Sequence, residues 1–89
     1  MPAAEADLEE IWGYIADDSP AAADRLVDEI LDKSETLVLN PELGRSRDEI
    51  RPGLRCLPVG RYLIFYKVAG ADIAVVRVLS GYRDVAALL

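Results

Sequence analysis

GRYLIFYKVAGADIAVVRVLS, residues 60–80, carries β-branched and aromatic residues in alternation, with a glycine at each place where the chain must reverse. Tyr62, Ile64 and Tyr66 fall on one face of an extended segment, and Leu63, Phe65 and Lys67 on the other. This period of two predicts strands over 61–68 and 72–79, joined at Ala-Gly-Ala-Asp (69–72). Gly60 links the first of them back to a further strand, Leu-Arg-Cys-Leu-Pro-Val (54–59). The three form an antiparallel meander with one strongly apolar face and one mixed face.

Upstream the period is helical. Leu8, Ile11, Trp12 and Ile15 recur as the stripe of an amphipathic helix over residues 3–17, with Asp7, Glu9, Glu10 and Asp17 read as lying off it. Asp-Asp-Ser-Pro then stops one helix and starts another: Ser19 is a good N-cap, and Pro20 fits the first turn, where no N–H is needed. The second helix presents Ala23, Leu26, Val27, Ile30, Ser34, Leu37 and Val38 on one face and ends at Asn40-Pro41. So short a connection makes an antiparallel helical hairpin. Residues 41–53 read as a loop, and Arg83–Leu89 as a short closing helical turn. The expected architecture is α+β: an N-terminal antiparallel helical hairpin packed on a three-stranded antiparallel sheet, with a short C-terminal helix. Residues 1–89 are expected to form a single domain.

The charge is divided along the chain. Residues 1–44 carry twelve acidic groups against Arg25 and Lys33, net −10. Residues 45–89 carry eight basic groups, seven of them arginine, against four acidic ones, net +4. Such asymmetry gives one surface that repels polyanions and another that accepts acidic partners. No apolar run is long enough to span a membrane, and the first residues lack the regions of a signal peptide. The lone cysteine, Cys56, has no partner for an internal disulfide, which fits a reduced thiol and a cytoplasmic location.

The chain contains no histidine, no nucleophile elbow, no phosphate loop and no metal-ligand spacing, so neither a cofactor nor a metal is expected. What stands out is the cationic and aromatic set on the β half. Arg55, Arg61, Arg77 and Arg83, with Tyr82, are the candidate target-binding residues, and no catalytic residue is assigned. Arginine suits bidentate recognition of anions.

The order of motifs resembles the ParE/RelE superfamily of bacterial toxins, and the ParE branch in particular. The residues that carry the resemblance are Asp7-Leu8…Ile11, Pro41…Gly44-Arg45, Pro52 to Arg55, Gly60 to Tyr66 and Arg77 to Asp84, spread over essentially the whole chain. Two features depart from the pattern. The family has a short strand before the first helix, where this sequence begins, so the sheet is expected to lack that strand or the true start to lie upstream. Ser80 stands where the closing motif has a histidine.

The resemblance implies the toxin of a type II toxin–antitoxin module, poisoning DNA gyrase by binding and not by catalysis. It implies a ParD-like antitoxin in a hetero-oligomer, with operator DNA reached only through that antitoxin and no membrane partner. The alternatives are a RelE-type ribosome-dependent messenger endonuclease and a non-toxic remnant that still binds its antitoxin. The endonuclease needs a base beside its cations, and Tyr82 is the residue of this sequence that offers one.

Overall fold

The computed structural model describes residues 2–81 and 83–89. Two helices come first, α1 (Pro2–Ala16) and α2 (Pro20–Leu39), followed by strands β1 (Arg45–Ser46), β2 (Arg55–Val59), β3 (Tyr62–Ala69) and β4 (Asp72–Ser80), and the short helix α3 (Val85–Leu88). The Ser19 hydroxyl accepts from the Ala22 N–H at 3.2 Å and so caps α2, with Pro20 in its first turn. On the seam of the hairpin, Trp12 Nε1–H donates to Asp24 Oδ1 at 2.8 Å. Trp12 is half-exposed there instead of facing the sheet.

The sheet has four strands in the order β1-β2-β3-β4, all antiparallel, and not the three expected. The added strand is only two residues long and lies in the stretch read as loop, where Arg45 pairs with Cys56 and Ser46 with Arg55. Two residues are too few to show a period, which is why the sequence concealed it. Both long hairpins turn through two residues with glycine first. Gly60 follows Val59, which pairs with Tyr62, and Gly70 follows Ala69, which pairs with Asp72. Their φ values of +58° and +64° are cheap only for glycine.

Each face of the sheet buries its own cluster. Ile64, Tyr66, Val59 and Val78 pack against Ile11, Ile30 and Leu37 of the helical hairpin. On the reverse face Leu54, Cys56, Phe65 and Leu79 are buried, covered by Ile50 and by Val85, Leu88 and Leu89 around α3. The face expected to be mixed is thus a second small core. Its cover comes from a loop and a four-residue helix, neither of which has a readable hydrophobic period.

Candidate functional site

The four arginines named from the sequence fall in three different settings, and the differences decide what each does. Arg77 sits on β4, the edge strand, opposite Phe65. Next to it the ladder slips: Phe65 pairs with Arg77 but Tyr66 with Val75, so Val76 is the extra residue of a β-bulge. The Arg77 guanidinium meets Asp7 of α1 as a fork, with Nε 2.7 Å from Oδ2 and Nη2 2.8 Å from Oδ1. Its Nη1 donates to the Leu88 carbonyl at 3.2 Å, so one side chain ties α1, β4 and α3 together.

Asp7 also accepts from the Val78 backbone N–H at 2.9 Å, covering a donor on the outer side of the edge strand. It is only 7% exposed, although the sequence placed it with the solvated carboxylates. The signal that finds it is its spacing: Asp7 stands four residues from the buried Ile11, on the inward face of the helix. The hydrogen bonds that Arg77 donates to Asp7 push its pKa above the ordinary guanidinium range.

Arg55 fastens the loop that follows α2. Its Nε donates to the Gly44 carbonyl at 2.9 Å and its Nη2 to the Glu42 carbonyl at 3.1 Å. The same loop is held from beneath by Tyr66, whose hydroxyl donates to the Pro41 carbonyl at 2.8 Å and accepts from the Gly44 N–H at 2.9 Å. The Pro-x-x-Gly-Arg motif is therefore a docking strap for a buried phenol. Arg55 and Arg77 were grouped by sequence with Arg61 and Arg83, but their guanidinium groups are engaged inside the fold.

Arg61 and Arg83 are both exposed and lie at one end of the sheet. The Gly81 N–H donates to the Arg61 carbonyl at 2.9 Å and the Arg83 N–H to the Ser80 carbonyl at 3.2 Å, which brings the β2–β3 turn against the end of β4. Neither side chain makes an ion pair or a side-chain hydrogen bond among the described residues. Tyr82, the remaining expected contact residue, lies outside the described residues. Arg83 opens onto a cleft of about 310 Å³ between α1 and the ends of β3 and β4, lined also by Glu10, Tyr14, Tyr62 and Ser80. An unpaired guanidinium beside phenols and a carboxylate is equipped for recognition: it binds anions, stacks and exchanges hydrogen bonds. No cluster of three or more metal-ligating side chains occurs among the described residues.

On the reverse face, Arg45 and Arg47 flank a second cavity, of about 410 Å³, with Cys56, Pro58 and Leu63. Burial pushes the Cys56 thiol pKa up, with the guanidinium groups of Arg47 and Arg45 pulling the other way. Neither arginine was singled out as a contact residue from the sequence, because the face they occupy follows from the short β1 pairing.

A helical hairpin laid over an antiparallel meander, with its first helix tied to the edge strand by Asp7 and Arg77, is the α+β architecture of a ParE/RelE-type toxin. The chain belongs to the family of ParE toxins of type II toxin–antitoxin systems, parDE, whose model matches residues 1–85. It is 43% identical over 86 residues to the toxin ParE1 of Mycobacterium tuberculosis, an alignment covering 94% of this chain and 88% of that protein. Toxin ParE3 of Caulobacter vibrioides is 41% identical over 49 residues, covering 55% of this chain and 49% of that one. The fold is similar to that in the chromosomal ParDE system of P. aeruginosa, with a TM-score of 0.72 and 28% identity over 90% of this chain and 89% of that chain.

Proposed function

We propose that this toxin is held inactive by a ParD-like antitoxin and, when released in the cytoplasm, arrests growth by binding DNA gyrase and not by cutting RNA. The observation that carries this reading is the composition of the cleft at the end of β4. It presents the Arg83 guanidinium beside Ser80, two tyrosines and the Glu10 carboxylate, in a chain that contains no histidine. Cutting messenger RNA requires a base to activate a ribose hydroxyl together with cations that stabilise the developing charge. Histidine, the commonest such base, is absent from the chain, and a cation set among aromatic rings suits attachment to a protein–DNA complex.

Within that reading, Arg61 and Arg83, with Tyr82, make the target contact, while Arg55 and Arg77 hold the surface in shape. The test expresses the chain from an inducible promoter, with and without its antitoxin. Linearised plasmid is then measured with purified gyrase, and messenger ends are mapped in the same cells. Gyrase-dependent breaks with intact messages are expected, and the antitoxin should abolish them. Codon-positioned messenger cleavage without gyrase-linked breaks would move the function to the RelE type. Normal growth on induction would leave only the antitoxin-binding role.

A further inference from the structure

The cavity on the reverse face of the sheet has a different chemistry from the cleft beside α1. Arg45, Cys56, Phe65 and Arg77 stand in one row straight across the four strands. Cross-strand partners share a face, so Arg45 is presented on the side away from the helical hairpin. Arg47, two residues on, lies over the Phe65 ring with its guanidinium carbon 5.9 Å from the centroid. Its Nε contacts Glu49 Oε2 at 3.2 Å, so this guanidinium already takes a carboxylate from the chain itself.

Arg45 is exposed and makes no side-chain hydrogen bond or ion pair among the described residues. Between the two arginines the cavity is walled by Pro58 and Leu63. Cations at the rim and an apolar wall select a ligand that is both acidic and aliphatic.

Two classes of macromolecule carry the anions that arginine prefers. Nucleic acid is disfavoured by the charge of the molecule, −6 overall with −10 concentrated in residues 1–44, which repels a polyanion that must lie along a large part of the surface. A peptide carboxylate is a local anion and meets only the local field. Nucleic acid also has no aliphatic side chain to set against Pro58 and Leu63.

We propose that the Arg45–Arg47 cavity is the docking pocket for an acidic, aliphatic segment of the antitoxin, with a carboxylate on Arg45, beside the Arg47–Glu49 pair, and an apolar side chain against Pro58 and Leu63. The inference rests on the reading of the chain as the toxin of a toxin–antitoxin pair. It assigns the antitoxin to a surface separate from the Arg61–Arg83 end, so that one toxin presents two different cationic regions to two different partners.

The experiment titrates the full-length cognate antitoxin into the folded toxin and its variants. Arg45→Glu and the double variant Arg45→Glu/Arg47→Glu are compared with Arg25→Glu, on the exposed surface of α2, by calorimetry at low and high salt. The single Arg45 variant is expected to bind about 10- to 100-fold more weakly. The double variant should lose more and show a flatter salt dependence, with Arg25→Glu unchanged. Arg45 is exposed, so its variant keeps the question open to test even if the Arg47 change disturbs packing on Phe65. Equal affinity of parent and Arg45→Glu toxins would overturn the pocket while leaving the toxin–antitoxin reading intact. Failure of the parent to bind the antitoxin would overturn that reading itself. Binding of a short DNA duplex that Arg45→Glu abolishes would reassign the cavity to nucleic acid.

Discussion

An Asp7→Ala variant is expected to melt roughly 12 to 24 °C below the parent protein. Asp7 is 93% buried and satisfies three donors at once, the two forks of Arg77 and the Val78 N–H. Removing one member of a buried ion pair costs about 3 to 5 kcal/mol, because the other charge is left in place without its partner. Here the lower end applies, since the Arg77 side chain is 25% exposed and regains water when Asp7 is gone.

A domain of this size loses about 4 to 8 °C of melting temperature per kcal/mol, and its total stability is only about 5 to 15 kcal/mol. Asp7→Asn keeps the shape and one acceptor oxygen, so it should fall between the two. Circular dichroism melts of the three proteins decide the point. A melting temperature for Asp7→Ala close to that of the parent would show that the tie between α1 and β4 contributes little.

Gly44→Ala is the second large effect, about 3 kcal/mol of destabilisation. A Cβ at this position would stand 2.5 Å from the Tyr66 hydroxyl oxygen and 2.9 Å from the Cys56 carbonyl oxygen. Neither can step aside cheaply. The phenol is fully buried and bonded to the Pro41 carbonyl and the Gly44 N–H, and the carbonyl belongs to the backbone of β2. The methyl group therefore either opens the loop or breaks the Tyr66 hydrogen bonds, leaving a buried donor without a partner. Tyr66→Phe removes part of the obstacle along with those bonds. Denaturant titration of Gly44→Ala, Tyr66→Phe and the double variant should show a combined loss smaller than the sum of the single losses, since both act on one contact. Strict additivity would mean that the clash is relieved elsewhere.

Local chemistry explains which parts of this molecule were legible before its structure. The helical hairpin followed from the spacing of Ile11, Ile30 and Leu37 and from Ser19-Pro20. The β2–β3–β4 meander followed from alternation and from glycines in two-residue turns. Strand β1 and the second core did not, because a two-residue strand and a four-residue helix have no period and are fixed by their neighbours. Asp7 was misread for a related reason: a carboxylate on a helix looks solvated unless the partner at the far end of the chain is known, and Arg77 lies 70 residues away. The arginines were visible as a set, but their division was not. Arg55 and Arg77 find acceptors inside the fold, whereas Arg61 and Arg83 stand at the end of the sheet, and Arg45 and Arg47 gain their common face only through pairing with β2.

That division leads to the most direct test of the proposed mechanism, a gyrase cleavage assay on the double variant Arg61→Ala/Arg83→Ala. Both side chains are exposed, so the variant should melt within the usual narrow range of a surface substitution, about 0.5 kcal/mol in stability per site. It should also keep its affinity for the antitoxin, whose proposed pocket lies around Arg45 and Arg47. With purified gyrase and supercoiled plasmid, the parent toxin is expected to accumulate linear DNA and the folded double variant to leave the plasmid intact. Linear DNA accumulating to the same level with the double variant would contradict the assignment of this end of the sheet to the target.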